Sequence, residues 1–171
     1  MSPSSSPSSP PALAESCVRF VEAAVGVAPD YTPETLPLLD HYARSIPEDA
    51  DAEVMALFVH ACGAYFGEVV RRTLRDGLWE GDELDPTSLR LVFAQGALRF
   101  NPMGMAVEVI SREDAGGWEA HVSVVPAHSQ QVQAAVERLG EVPLDQYFTF
   151  VACWEVIERA HEVVASRTDS P

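Results

Sequence analysis

Leu89-Arg90-Leu91-Val92-Phe93-Ala94-Gln95-Gly96-Ala97-Leu98-Arg99-Phe100-Asn101-Pro102 decides how this chain folds, because here the apolar period drops to two. Leu89, Leu91 and Phe93 fall at every second position, and so do Leu98 and Phe100 beyond Gln95-Gly96. That pattern predicts two short strands around a tight turn. Asn101-Pro102 then supplies an N-cap and a first helical residue, opening a helix over Met105–Ile110.

Upstream the period is helical. Leu13, Cys17, Phe20, Val21 and Ala24 predict a first helix over 13–25, stopped by Gly26. Thr32, followed by Pro33 and Glu34, predicts a second helix running to Arg44 and ended by Ile46-Pro47. A third, capped by Asp49 or Asp51, carries Met55, Phe58, Cys62, Tyr65, Phe66, Val69 and Val70 on one broad face. Gly77 should close it after Arg71, Arg72 and Arg75, which suit the negative end of the helix dipole.

Downstream, Ala115-Gly116-Gly117 predicts a turn. Trp118–Val125 alternates as a strand, with Trp118, Ala120, Val122 and Val124 opposite Glu119, His121 and Ser123. Pro126 should stop it, and two helices follow, Ser129–Leu139 with Gly140 as C-cap and Leu144 to about Ser166. The expected class is α+β: N-terminal helices, an antiparallel sheet of about three strands with helices on one face, and C-terminal helices. Residues 1–11, a Ser/Pro run, predict a disordered tail, 12–166 one globular domain, and 167–171 a frayed end.

The chain has 171 residues, 47% of them hydrophobic, enough for one domain with a sizeable core. Its net charge of −15 repels phosphate backbones and anionic membrane surfaces, so a basic partner is the easier one to meet. Every basic residue apart from histidine is arginine, which excludes Schiff-base lysine chemistry and a P-loop lysine. Ala, Val, Arg, Gly and Pro without Lys also suggest a GC-rich bacterial genome. Cys17, Cys62 and Cys153 are widely spaced in apolar runs and predict three buried thiols in a reducing compartment. No basic and apolar leader opens the chain, and His60, Glu68, Arg71 and Arg72 interrupt the apolar stretch Val54–Leu74, so the expected address is the cytoplasm.

Signatures of chemistry are sparse. The histidines His41, His60, His121, His128 and His161 lack zinc-helix spacing, and the Glu158/His161 pair is a poor ligand set. No nucleophile elbow, dinucleotide fingerprint or EF-hand loop is present, and Asp82, Glu83 and Asp85 read as a solvated acidic loop. No metal and no cofactor is expected. Gly63-Ala64-Tyr65-Phe66-Gly67-Glu68 stands out instead. Gly63 and Gly67 share one helix face, each costing about 1 kcal/mol relative to Ala, so either a neighbour packs closely there to compensate or the glycines line a groove where a ligand or partner approaches the backbone. Glu68 can pair with Arg71 or Arg72 three and four residues on, or serve as a buried polar anchor; a general base ranks last.

This stretch, with Trp79 after it and Asn101-Pro102-Met103-Gly104 beyond the strands, resembles a family of small bacterial domains of unknown function with a Gly-x-Tyr-x-Gly-Glu helix followed by a tryptophan. The resemblance covers about 62–104 and implies that Glu68 and Trp79 belong to one structural unit, with no activity attached. The functional expectation is a non-catalytic protein-binding or regulatory module, an adaptor or immunity-type inhibitor. Its candidate binding residues are Gly63, Gly67, Glu68, Arg72, Trp79 and Trp118. The alternative is an enzyme with a site around Glu68, Arg72 and His121.

Overall fold

The computed structural model describes residues 9–168. Helix α1 spans Pro10–Val25 and ends on Gly26, whose left-handed φ of 77° suits a residue without a Cβ. Pro10 and Pro11 therefore begin a helix rather than belonging to a tail. Ser9, also placed in the expected tail, is the N-cap residue of α1, while 1–8 lie outside the described residues, as do 169–171 at the other end. Thr32 offers no side-chain cap; a 3-10 turn over Pro33–Thr35 leads into α2, Leu36–Ser45.

Helix α3, Ala52–Leu74, is capped by Asp51, whose carboxylate accepts from the Val54 amide at 2.9 Å. The expectation of a single apolar face needs correction. Every residue from 61 to 70 is buried, while Met55 and Phe58 are only partly covered. A helix surrounded on all sides belongs in the middle of a fold. α1 and α4 pack most extensively against it. By length and composition alone α3 could cross a membrane, but 61% of its apolar window is buried inside this fold. The helix closes at Arg75, left-handed with φ 71°, two residues before the expected Gly77.

The sheet has four strands in the order β1-β2-β3-β4, all antiparallel, one more than expected. β1, Leu78–Glu80, pairs Leu78 with Val92 and Trp79 with Leu91 of β2, Arg90–Phe93. A tight turn over Ala94–Gly96 leads to β3, Leu98–Phe100. The alternation read from the sequence holds: Leu91, Phe93, Leu98 and Phe100 point inward, and Phe93 and Phe100 stack at 6.1 Å. β4 is shorter than expected, only Ser123–Val124. Burial still alternates through Trp118–Val124, but the run is broken by Glu119 at φ 47°, and only Ser123 and Val124 pair with β3.

α4 spans Pro102–Ser111 behind its Asn101 cap, as the sequence indicates. Pro126 does not merely stop a strand; it opens α5, Pro126–Glu137. The single C-terminal helix expected from Leu144 is broken in two, α6 (Leu144–Tyr147) and α7 (Phe150–Thr168). Asp40 of α2 sets the break, accepting from the Phe150 amide at 2.6 Å and the Val151 amide at 3.3 Å. Those amides, together with Ala152 bonded to the Thr149 hydroxyl at 3.1 Å, are donors a helix start leaves unpaired. One contiguous core joins the helices to the inner face of the sheet.

Candidate functional site

Two places invite a functional reading, a closed polar centre on α3 and an open groove beside α4. The first is built around Glu68, which is wholly buried. Helical spacing brings Arg71 and Arg72 back onto it. Arg71 donates twice, Nε to Oε1 and Nη2 to Oε2, both at 2.8 Å; Arg72 Nε reaches Oε2 at 3.2 Å. Trp79 of β1 donates its indole N–H to Oε1 at 2.9 Å.

The glycines make this possible. A Cβ on Gly67 would lie 2.5 Å from two ring carbons of Trp79, and one on Gly63 would lie 2.7 Å from the Met103 Cα. Trp79 thus reaches Glu68 by lying over Gly67, and α4 reaches α3 by lying over Gly63. Close packing is thus the observed role of both glycines, and the glycine-lined groove, the other reading of their spacing, is filled by Trp79, Pro102 and Met103. Beyond the arginines, the Arg72 guanidinium sits 3.7 Å over the Tyr31 ring. Tyr31 has φ 64° and donates its amide to the Tyr65 hydroxyl at 3.1 Å, which also bonds Thr35 at 3.0 Å. Such a conformation is costly for a bulky residue and is held here by its neighbours.

Burial pushes the Glu68 carboxyl up, but the hydrogen bonds of Arg71 and Trp79, the Arg71 charge and the Arg72 bond outweigh it and hold it below the usual carboxylate range. With four donors on its two oxygens, Glu68 has no free lone pair with which to take a proton. It anchors β1 to α3. Gly63, Gly67, Glu68, Arg72 and Trp79 are therefore brought together, as one packed unit. Trp118 stands apart: its Cβ would touch a Cβ on Gly104, at 2.8 Å, and its carbonyl accepts from Asn101 at 3.1 Å. His121 does not join Glu68 and Arg72; it lies 3.4 Å from both Glu108 and Asp114.

Asn101 does more than cap a helix. Its Oδ1 accepts from the Met103 and Gly104 amides, while its Nδ2 donates to the carbonyls of Pro86, Thr87 and Trp118. One fully buried amide thus pins two loops to the start of α4.

The second place was missed from sequence. A groove of about 580 Å³ runs between α4, α5 and α7, walled by Val109, Val136, Leu139, Phe148 and Val156, with Glu108, Glu141 and Glu155 among its polar lining. Leu139, Val142, Leu144 and Tyr147 leave apolar side chains exposed along 139–147. Their crowding into one short segment between helices was the available signal. Cys153 also lines the groove and is half-buried, unlike the fully buried Cys17 and Cys62. Burial, with the charges of Asp40 and Glu108, pushes its thiol up to about 12, which favours the protonated form at neutral pH. The acidic loop is ordered by its own side chains, Asp82 accepting from the Leu84 amide and Asp85 from Thr87. His161 pairs with Asp76 at 2.9 Å rather than with Glu158. Comparison with models of known protein families, with curated proteins and with solved structures found no match to the chain.

Proposed function

We propose that this chain is a non-catalytic protein-binding module of a bacterial cytoplasm, an adaptor or immunity-type inhibitor, and that its groove takes a basic amphipathic segment of another protein. The observation that carries this reading is the groove itself: apolar walls lined also by Glu108, Glu141 and Glu155, in a chain of net charge −15. Exposed apolar side chains clustered with like charges mark a partner site, and the charge accelerates encounter with a basic target. A helix laying its apolar face into such a groove would leave its arginines or lysines over the glutamates. The Glu68 centre takes no direct part. It fixes the α3–β1 framework, and α4, seated over Gly63, forms one wall of the groove.

The test uses a fluorescein-labelled helical peptide of leucines on one face and lysines on the other, read by anisotropy. Binding should weaken as salt rises. Leu139→Arg should lower affinity by about tenfold, the cost of losing an apolar contact while adding a like charge. Leu84→Arg, on an exposed loop, should leave affinity unchanged. Equal binding of the same peptide with glutamates in place of lysines, or an unaffected Leu139→Arg, would overturn the reading.

A further inference from the structure

We propose that Glu108, Asp114 and His121 bind a divalent transition cation of the zinc type where His121 and Glu108 line the groove. The three come from separate places, the last turn of α4, the loop after it and the stretch entering β4, and their donor atoms lie within 4.8 Å of one another. Glu108 Oε1 and Asp114 Oδ2 both approach the same nitrogen, His121 Nε2, at 3.4 Å. A ring nitrogen carries at most one proton and cannot serve two carboxylates well, and 3.4 Å exceeds the usual N–H···O range of about 2.7–3.2 Å. A tetrahedral cation with bonds of about 2.0–2.2 Å holds its ligands about 3.4 Å apart. The spacing suits a shared metal better than a hydrogen bond.

Burial gives an independent argument. Glu108 is 8% exposed, and its Oε1 is fixed by the Ala115 amide at 3.2 Å. Among the described residues its ion-pair partner is His121 alone; no arginine reaches it. Glu68, which is buried completely, is held by two arginines. A buried carboxylate without a strong counter-charge is costly, and a divalent cation supplies that charge. One imidazole and two carboxylates suit zinc or manganese, and three protein ligands leave a coordination position free. Glu108 and His121 both line the groove, so the site lies at its edge. The ligands are spaced by six and seven residues, on no common helix face, which is why spacing rules applied to the sequence find no metal there.

The test titrates cobalt(II) into chelator-treated, reduced protein, followed by visible absorption, with zinc as competitor. Wild type should take up one equivalent, displaced by zinc. His121→Ala and Asp114→Asn, both at exposed positions, should each weaken binding by at least about tenfold. Cys153→Ala and His41→Ala should bind as wild type does. Absence of stoichiometric uptake, or wild-type affinity in His121→Ala, would overturn the site. A loss confined to Cys153→Ala would assign the metal to the thiol and overturn it equally. The peptide experiment is run without metal, so either proposal can fail alone.

Discussion

Replacing Glu68 by Gln keeps the shape of the side chain and removes its charge, which makes it the sharpest probe of the buried centre. The carboxylate accepts from Arg71 twice, from Arg72 and from Trp79. A glutamine can keep its carbonyl toward Arg71 Nε and Trp79, but its NH₂ then faces Arg71 Nη2 and Arg72 Nε, donor against donor. Two charge-assisted bonds are lost, each worth about 1.5–3 kcal/mol. Both arginines are partly exposed and can turn to water, which recovers part of that. The neutral amide is also cheaper to bury than the carboxylate. The net expectation is a loss of about 2–3 kcal/mol, or about 4–12 °C in Tm for a domain of this size. Urea unfolding at several pH values measures it. The sign is fixed by the depressed carboxyl: folded Glu68 ionises more readily than unfolded Glu68, whose value is about 4.3. Its stabilisation is therefore complete above that value and is lost as pH falls through the folded value. The gap between wild type and Glu68→Gln should accordingly narrow on acidification. A gap under about 0.5 kcal/mol at neutral pH, or one indifferent to pH, would refute a buried, charge-held anchor.

Two further substitutions test the packing around that centre. Gly63→Ala places a Cβ against the Met103 backbone, which cannot rotate aside, so a loss of at least about 1–3 kcal/mol is expected in urea unfolding despite alanine's better helix propensity. Asn101→Ala removes the α4 cap and leaves three loop carbonyls without their donor; a loss above about 2 kcal/mol is expected. Its mark should be faster amide exchange in 84–88 and 117–120, whereas a pure capping role would speed exchange only at the start of α4.

Local pattern made the centre of the fold legible. The alternation over 89–100, the Asn101-Pro102 pair and the Gly63/Gly67 spacing each depend on residues a few positions apart, and each matches what the structure contains. β1 was illegible because it is three residues long and exists through pairing with β2. The direction of the Glu68 pairing was visible, but its complete burial was not, since that depends on Trp79 folding back over Gly67. The groove and the Glu108–Asp114–His121 cluster depend on where α4, α5 and α7 end, which no short window of sequence records. No Gly or Pro interrupts the chain between Leu144 and Phe150, and Thr149, whose hydroxyl bonds the Ala152 amide, was the one local mark of the α6–α7 break.

That break has a consequence for how the molecule is made. The side chain that starts α7 belongs to α2 and precedes Phe150 by 110 positions. During synthesis α1, α2 and α3 are all complete long before Asp40 can meet its partners. Until then, burying its carboxylate would leave it without the two amides that bond it in the finished fold. Burial pushes that carboxyl above its ordinary value even after Phe150 and Val151 have bonded to it, so withdrawal from water is the costly step and the arrival of α7 the offset. A chain cut short before Phe150 would lack both amides that offset the burial of that carboxylate.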